Sequence, residues 1–309
     1  MHWDFGDGNF AGNIQNPVHT YIATGPYNIM LTITSNNGCI DDTIRQLTTI
    51  YAQPAADFSI SSNEVCIGSA FNFTDLSTAP NSSVSQWLWD FGDGTNSSQQ
   101  SPSKTYAAPG TYSVTLQITS AVGCPSTVMT RQVVVNALPT ANFGITNPQC
   151  AGKDITFTDA SAANSGSIVK WTWNYGDGTN AVLNNSNPFI HNYTTPGSYN
   201  ATLQVETDKG CTSSLLSVPV TVNVNPVAGF INPAACTLDP QAAFIDTSKI
   251  AAGNIASWQW NFGDPNANAG NPNTSSQQNP AHRYTVEGPY TATLIVTSNT
   301  GCTDTVAQT

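Results

Sequence analysis

The residues best suited to catalysis or metal binding are aspartates that lie beside glycines in tight turns. Asp7, Asp93 and Asp177 each lie in a Gly-Asp-Gly sequence, and Asp264 follows Gly263 in a fourth, related sequence. Carboxylates on such loops are ligands that Ca²⁺ accepts. The alternative is that the glycines supply positive φ angles and each aspartate bonds to the backbone of its own turn. Because no EF-hand-like series of ligands follows, we expect the structural role, with Ca²⁺ as the only candidate cofactor.

Three other aspartates, Asp75, Asp159 and Asp246, each precede a serine by two residues. We expect them to organise the end of a strand through hydrogen bonds to the backbone. Paired carboxylates of the kind that glycosidases use cannot be told apart from such repeated structural acids. The acidic residues therefore identify no active site.

Nucleophilic catalysis has little support in the sequence. No Gly-x-Ser-x-Gly elbow occurs. His19, His191 and His282 each lie two residues before a tyrosine, and we expect a structural role for them in a turn, without a repeated neighbouring acid. The sequence therefore predicts no catalytic residue and no enzyme.

These residues recur because the chain is built from repeats. Four related sequences begin at tryptophans that are 86, 84 and 87 residues apart. The recurring residues are Trp3, Gly6, Asp7 and Gly8; Trp89, Gly92, Asp93 and Gly94; Trp173, Gly176, Asp177 and Gly178; and Trp260, Gly263 and Asp264. A fixed period of this size indicates tandem copies of one small domain. We interpret the four tryptophans as core anchors.

The elements that position these residues are short strands. Tyr112, Val114, Leu116 and Ile118 alternate with polar residues, which is the period of a strand with one buried face. Similar strands recur between clusters of Gly, Pro, Asn and Ser, and no helical pattern interrupts them. The sequence therefore predicts an all-β protein of immunoglobulin-like sandwiches, each of roughly 85 to 90 residues.

The second half of each repeat is equally regular and carries a family resemblance. A Pro-to-Tyr segment, a Gly-x-Tyr sequence and a Gly-Cys pair follow each tryptophan motif, as in Pro102 to Tyr106, Gly110 to Tyr112 and Gly123-Cys124. With the tryptophan motif, this signature resembles the PKD (polycystic kidney disease) domain over essentially the whole chain. The resemblance implies tandem immunoglobulin-like sandwiches arranged end to end. The fourth copy departs from the pattern at Pro265 and in the Asn-rich residues after it.

Repeated linkers beginning with proline mark the domain boundaries. We predict domains at 1–52, 53–138, 139–225 and 226–309. The first is expected to lack its first strands and the last to lack its final strand. Two explanations are open: the sequence is a window cut from a longer chain, or another subunit donates the strands.

Seven cysteines occupy two repeated positions. The early position holds Cys66, Cys150 and Cys236, and the late position holds Cys39, Cys124, Cys211 and Cys302. Such regular placement predicts disulfides, with free buried thiols as the alternative. Metal binding is less favoured because no Cys-x-x-Cys pair occurs.

The resemblance also implies a pairing. In an immunoglobulin-like order, the early position lies at the C-terminal end of its domain and the late position at the N-terminal end. A bond within one domain would have to span the sandwich, whereas a disulfide needs Cα atoms about 4.4 to 6.8 Å apart. The predicted bonds therefore join successive domains, Cys66 to Cys211 and Cys150 to Cys302. Cys39, Cys124 and Cys236 are left for domains outside the sequence.

Composition restricts the setting. Only 9% of residues are charged and the net charge is -11, so no basic surface is available for nucleic acid. No apolar run approaches the length of a membrane span, and residues 1 to 20 do not resemble a signal peptide. We expect an extracellular or cell-surface location.

Two functions fit these observations. The first is a non-catalytic structural segment of a long surface protein, such as a stalk, adhesin or filament. The resemblance extends to repeats of gliding bacteria that use type IX secretion. Its partners would be adjacent repeats or neighbouring subunits. The alternative is an accessory module beside a secreted enzyme that binds carbohydrate, such as surface glycans, or protein. The placement of nearly all tryptophans at core positions favours the first.

Overall fold

The computed structural model describes residues 1–232 and 241–309. It contains 27 strands, and the described residues form no helix. The chain forms two compact units, Met1–Ala137 and Leu138–Thr309, whose residues contact one another mainly within each unit. We call the predicted domains 1–52, 53–138, 139–225 and 226–309 repeats 1 to 4; the first unit consists of repeats 1 and 2, and the second of repeats 3 and 4, to within one residue at the boundary. The prediction of tandem all-β, immunoglobulin-like domains is confirmed.

Repeat 1 consists of one antiparallel sheet. Its strands are β1 (His2–Asp4), β2 (Phe10–Gly12), β3 (Tyr27–Thr34) and β4 (Ile40–Leu47), in the order β2-β1-β3-β4. Trp3 pairs with Leu31 on β3, and their side chains are only partly buried. One face of this sheet is therefore not covered by a second sheet within the repeat.

Repeat 2 is a sandwich of two sheets. Its strands are β5 (Phe58–Ile60), β6 (Glu64–Cys66), β7 (Ala70–Asp75), β8 (Val84–Asp90), β9 (Asn96–Ser97), β10 (Ser103–Thr105), β11 (Gly110–Ser120) and β12 (Met129–Asn136). The sheets are β10-β7-β5 and β6-β12-β11-β8-β9. β6 runs parallel to β12, so Cys66 lies beside Asn136 at the end of the last strand.

Repeat 3 has the same design. Its strands are β13 (Phe143–Ile145), β14 (Asp154–Asp159), β15 (Ile168–Asn174), β16 (Asn180–Leu183), β17 (Phe189–Asn192), β18 (Gly197–Thr207) and β19 (Leu216–Val222). They form the sheets β13-β14-β17 and β16-β15-β18-β19. An isolated parallel bridge between Cys150 and Asn223 takes the place of the pairing between β6 and β12.

Repeat 4 repeats the arrangement with shorter strands. They are β20 (Phe230–Ile231), β21 (Gln241–Ala243), β22 (Ile245–Asp246), β23 (Ile255–Asn261), β24 (Thr274–Ser275), β25 (Ala281–Arg283), β26 (Ala292–Ser298) and β27 (Thr303–Gln308). β27 pairs along β26, as β12 pairs along β11. A strand thus follows Cys302 directly, where the sequence predicted none, but it ends opposite Ala292 and has no counterpart of the pair between Val133 and Tyr112 in repeat 2.

The motif tryptophans of repeats 2, 3 and 4 anchor the cores, as their spacing predicts, whereas Trp3 is only partly buried. Trp89, Trp173 and Trp260 are almost fully buried. Each lies under two phenylalanines of the facing strands; in repeat 2 these are Phe58, with ring centres 4.9 Å apart, and Phe73, at 5.5 Å. Edge-to-face and tilted contacts of this kind add to the free energy of burial. The same geometry recurs in repeats 3 and 4.

Candidate functional site

The Gly-Asp turn is held by two successive aspartate or asparagine turns. In repeat 2, the Oδ1 atom of Asp90 accepts a hydrogen bond from the backbone N–H of Gly92 at 2.8 Å. The Oδ1 atom of Asp93 accepts one from the N–H of Thr95 at 3.1 Å. Equivalent pairs occur in the other repeats. The aspartates thus bond to the backbone of their own turns, in line with the structural role expected from the sequence.

The first glycine of the motif is required by both conformation and space. Gly92 has a φ of +75°, and a Cβ atom there would lie 2.7 Å from the carbonyl oxygen of Ser113. Gly6, Gly176 and Gly263 also have positive φ values and leave 2.3 to 2.7 Å to the facing carbonyl oxygen. No other residue fits this close approach between the turn and the neighbouring strand.

The second aspartate also contacts a basic side chain, which the sequence analysis missed. The Oδ2 atoms of Asp7, Asp177 and Asp264 lie 2.7, 2.8 and 3.0 Å from Nε2 of a histidine. These histidines are His19, His191 and His282. In repeat 2, Lys104 takes this place, with Nζ 2.6 Å from Asp93. The expectation that the histidines have no repeated acidic neighbour is therefore wrong.

The basic residue also packs on aromatic rings. The ring of His191 stacks on Tyr175 at 3.9 Å, and Nζ of Lys104 lies 5.5 Å from the centre of Phe91. Tyr106, two residues after Lys104, donates its hydroxyl to the carbonyl oxygen of Phe91 at 2.8 Å. The other repeats match this tyrosine bond. We call these four groups of aspartate, basic residue and tyrosine the Asp–base–Tyr clusters.

A sequence signal for the clusters existed. Each basic residue lies two positions before the repeated tyrosine, so both side chains project from the same face of an extended segment. Lys104, His191 and His282 lie on β10, β17 and β25 rather than in a turn. These strands belong to the sheet that faces the Gly-Asp turn, and the cluster therefore ties the two sheets together.

Electrostatics in the clusters of repeats 2 and 3 favours ionised aspartates. Burial opposes ionisation of Asp93, but hydrogen bonds from Lys104 and Thr95 outweigh it and lower the pKa of this carboxyl. At Asp177 burial likewise opposes ionisation, and hydrogen bonds from Thr179 and His191 outweigh it and lower the pKa. Burial, followed by the charge of Asp264, raises the pKa of Tyr284 to about 12.

The arrangement holds structure and offers no nucleophile. Among the described residues, no hydroxyl or thiol forms a hydrogen bond with the rings of His19, His191 or His282. Lys104 replaces histidine in repeat 2 while keeping the contact to Asp93, so the position requires a hydrogen-bond donor to the carboxylate and not a proton-transferring imidazole. Within residues 1–232 and 241–309, no group of three or more acidic, His or Cys side chains is placed to hold a metal ion.

The strand-end aspartates are placed as expected and have an additional partner. Asp75, Asp159 and Asp246 accept bonds from the backbone N–H of the serine two residues later. Asp75 and Asp246 also accept the indole N–H of Trp87 and Trp258, each at 2.7 Å.

Repeat 3 departs from this pattern. The indole nitrogens of Trp171 and Trp173 are buried without a hydrogen-bond partner in the described part of the chain. One extra residue separates Pro188 from Tyr193, and Phe189 packs on Trp173 with ring centres 5.1 Å apart. The aromatic core here is larger and less well hydrogen-bonded.

The cysteines connect one repeat to the next. Cys150 of repeat 3 and Cys302 of repeat 4 form a disulfide with Cα atoms 5.7 Å apart, which is the pairing the strand order predicts. Cys66 and Cys211 are each disulfide-bonded, and their bond to one another stays a prediction. Cys39 and Cys124 are free. Cys236 lies outside the described residues.

Two further features bear on binding. Within the described residues, no helix has the length and apolar character that crossing a membrane requires. Phe10, 59% exposed, stacks with His2 at 5.5 Å, and it is the most exposed aromatic side chain described.

The fold and the Asp–base–Tyr clusters define the class of protein. It is an array of immunoglobulin-like modules that share the same aromatic core and the same acidic turn. The sequence profile of the PKD domain matches residues 1–50, 51–135, 136–222 and 223–309. The chain therefore belongs to the PKD domain family.

Two bacterial relatives are similar to this chain over part of its length and a small part of their own. "Microbial collagenase" of Vibrio alginolyticus is 41% identical over 73 residues, 23% of this chain and 9% of the relative. "Pre-pro-metalloprotease PrtV" of Vibrio cholerae is 26% identical over 174 residues, 56% of this chain and 18% of the relative. The chain thus spans less than a fifth of the length of either. The PKD1 domain of Vibrio anguillarum Epp, a solved structure, is 26% identical with a TM-score of 0.26, covering 28% of this chain and 99% of that domain.

Proposed function

We propose that the chain is a non-catalytic structural segment of an extracellular protein, of the stalk, adhesin or filament kind. The observation that carries the proposal is the disulfide between Cys150 and Cys302, which joins two separate sandwiches. A disulfide within a domain would stabilise one core, whereas this bond restrains a junction. Disulfides also form and persist in oxidising, extracellular surroundings, which supports that location.

The Asp–base–Tyr clusters support the same function. Their carboxylates, bases and hydroxyls are already bonded to one another or to the turn backbone. Groups that are used in this way are not available to bind and activate a substrate. We also propose that Ca²⁺ is not required by the turns, since each aspartate has protein partners.

The experiment compares the junction between repeats 3 and 4 with and without its bond. The double variant Cys150→Ser/Cys302→Ser should be cut faster than the original chain near residues 223–229 by a nonspecific protease. Cys39→Ser, which removes a free thiol, is the matched control and should be cut like the original. Equal cutting of all three chains would remove the support for a restrained junction.

The second candidate is an accessory module of a secreted enzyme. It is favoured by the relatives, whose names include a collagenase and a metalloprotease. Under this alternative, the chain should bind a polysaccharide or collagen, and Phe10→Ala should weaken binding without altering unfolding. Absence of binding to both materials would favour the structural segment.

A further inference from the structure

The face of the repeat 1 sheet that bears Trp3 is an apolar surface whose counterparts are buried in the other repeats. Ile33 on β3 is 46% exposed, whereas the residues at its position in repeats 2, 3 and 4 are at most 1% exposed. These are Ile118, Val205 and Val296, each of which pairs with the first tryptophan of its repeat. Burying a side chain of this kind is favourable in proportion to the apolar area removed from water. The open face therefore favours a covering partner.

The surface has a groove of the right character for such a partner. Its volume is about 370 Å³, and it is lined by Trp3, Phe5, Pro17, Tyr21 and Ile29, among others. In repeat 2 the equivalent space is filled by Phe58 of β5 and by Phe73 of β7, which contact Trp89. The other repeats thus show what kind of chain segment covers this face.

A basic residue beside the groove also has a counterpart in repeat 2. Arg45 pairs with Ile29 across β3 and β4, as Arg131 pairs with Val114 across β11 and β12. The guanidinium of Arg131 lies 3.0 Å from Asp57 and 5.5 Å from the ring of Phe58. Arg45 is exposed. An Asp-Phe pair at the start of the covering segment would give it the same two partners.

A free thiol provides an independent indication of the same partner. The backbone N–H groups of Cys124 and Cys302 each bond to a serine hydroxyl four residues earlier, at 3.1 Å, so the two cysteines lie in equivalent turns. Cys302 is bonded to Cys150, which lies between β13 and β14 of the preceding repeat. Cys124 is free. Its turn lies beside the boundary with repeat 1, because Gln53, the first residue of repeat 2, donates to the carbonyl oxygen of Pro125, the residue after Cys124, at 3.3 Å.

We propose that the open face of repeat 1 and Cys124 together form a docking site for one segment of the β5–β7 type. This segment carries an Asp-Phe pair, then a cysteine, then a Phe-x-Phe pair, as residues 57–73 do. Its phenylalanines fill the groove, its aspartate meets Arg45, and its cysteine bonds to Cys124. The inference deepens the proposed structural function, on which it rests in treating the repeats as units of an array.

The covalent step is an ordinary thiol–disulfide exchange. With oxidised glutathione as oxidant, one protein thiolate attacks the glutathione disulfide and releases one glutathione thiol. The second protein thiolate then attacks the protein sulfur of the mixed disulfide and releases the other. The two protein thiols lose two protons and two electrons, and one glutathione disulfide is reduced to two thiols.

The test uses the 309-residue chain and a synthetic peptide of residues 55–77, in a glutathione buffer that preserves the existing disulfides. The peptide should bind, and peptide mapping should find its cysteine joined to Cys124. Cys39 is the internal control, because it is the more exposed free thiol and nonspecific oxidation would reach it first. The Cys124→Ser chain should bind the peptide without cross-linking, and a peptide with serine in place of both Phe71 and Phe73 should do neither.

Chain variants test the face itself. Ile33→Asp should weaken peptide binding by tenfold or more, whereas Ile44→Asp, exposed on the opposite face of the sheet, should not change it. A second peptide, residues 55–77 with Asp57→Asn, has the asparagine that repeat 3 carries at the equivalent Asn142. It should bind about 2- to 5-fold more weakly, as expected for one exposed ion pair, and Arg45→Gln should abolish this difference.

Failure of both peptides to bind would overturn the proposal, as would cross-linking to Cys39 in preference to Cys124. A dimer of the full chain that Ile33→Asp dissociates would also overturn it, by assigning the face to a second copy. None of these outcomes affects the junction between repeats 3 and 4, so the structural function would be judged separately.

Discussion

At each Gly-Asp turn, one carboxylate serves two purposes. One oxygen of Asp93 closes the turn by accepting from Thr95, and the other accepts from Lys104 on the opposite sheet. The turn is thereby fixed to the sandwich and not only to itself. Charged hydrogen bonds of this kind contribute about twice as much as neutral ones.

The glycines give a test at the residue scale. Gly92→Ala should lower the free energy of unfolding of repeat 2 by clearly more than Gly94→Ala. Both residues have positive φ, which costs an alanine roughly 1 to 2 kcal/mol. Only at Gly92 would the new Cβ also meet a carbonyl oxygen, at 2.7 Å, whereas nothing lies within 4 Å at Gly94. Urea unfolding with footprinting of repeat 2 measures both, and equal losses would contradict the role of close approach.

Removing a cluster carboxylate should give a pH-dependent loss. Asp93→Asn should cost repeat 2 about 1 to 3 kcal/mol at pH 7. The folded-state pKa of Asp93 is lowered relative to about 3.9 in the unfolded chain. Its contribution is therefore complete above about pH 4 and is lost as the pH falls through the folded-state pKa.

Unfolding curves at pH 7 and at the lowest pH where the chain stays folded measure this dependence. The gap between Asp93→Asn and the original chain should narrow at the lower pH. Asp42→Asn, at an exposed position on β4, is the control and should show no gap at either pH. A gap that is independent of pH would mean that the carboxylate acts through shape and not through charge.

At the scale of strands, the alternation of apolar and polar residues and the repeat spacing were enough to predict most of the fold. The alternation of Tyr112 to Ile118 predicts β11 and its buried side, and the tryptophan spacing predicts the core anchors. Contacts between strands that are distant in sequence were harder to predict. The pairing of Asp177 with His191 depends on β17 facing the turn after β15. An aspartate and a histidine 14 positions apart in the sequence do not by themselves specify that arrangement of strands.

Repeat 3 offers a comparison between equivalent tryptophans. Trp87→Phe should destabilise repeat 2 by about 1.5 to 3 kcal/mol, because Asp75 loses a hydrogen bond to its charged oxygen. Trp171→Phe should cost much less, since its indole N–H has no partner among the described residues. Thermal unfolding followed by footprinting of each repeat distinguishes the two. A larger loss for Trp171→Phe would show that its indole nitrogen is bonded in solution.

At the scale of the whole molecule, the domains repeat one design and differ in how they are joined. The late cysteine is buried and bonded at Cys302, and partly exposed and free at Cys124. The strand order implied by the family resemblance was enough to predict that Cys150 would pair across a junction. The sequence alone did not predict β27, because Thr303 to Gln308 contains no apolar run.

The most direct test of covalently joined repeats is single-molecule stretching of the chain between its ends. The Cys66→Ser/Cys211→Ser background leaves the Cys150–Cys302 bond, which spans 152 residues, as the disulfide under test. With this bond intact those residues cannot extend, so the fully unfolded oxidised chain should be shorter than the reduced chain by about 500 Å. Equal lengths before and after reduction would contradict the claim that neighbouring repeats are covalently joined.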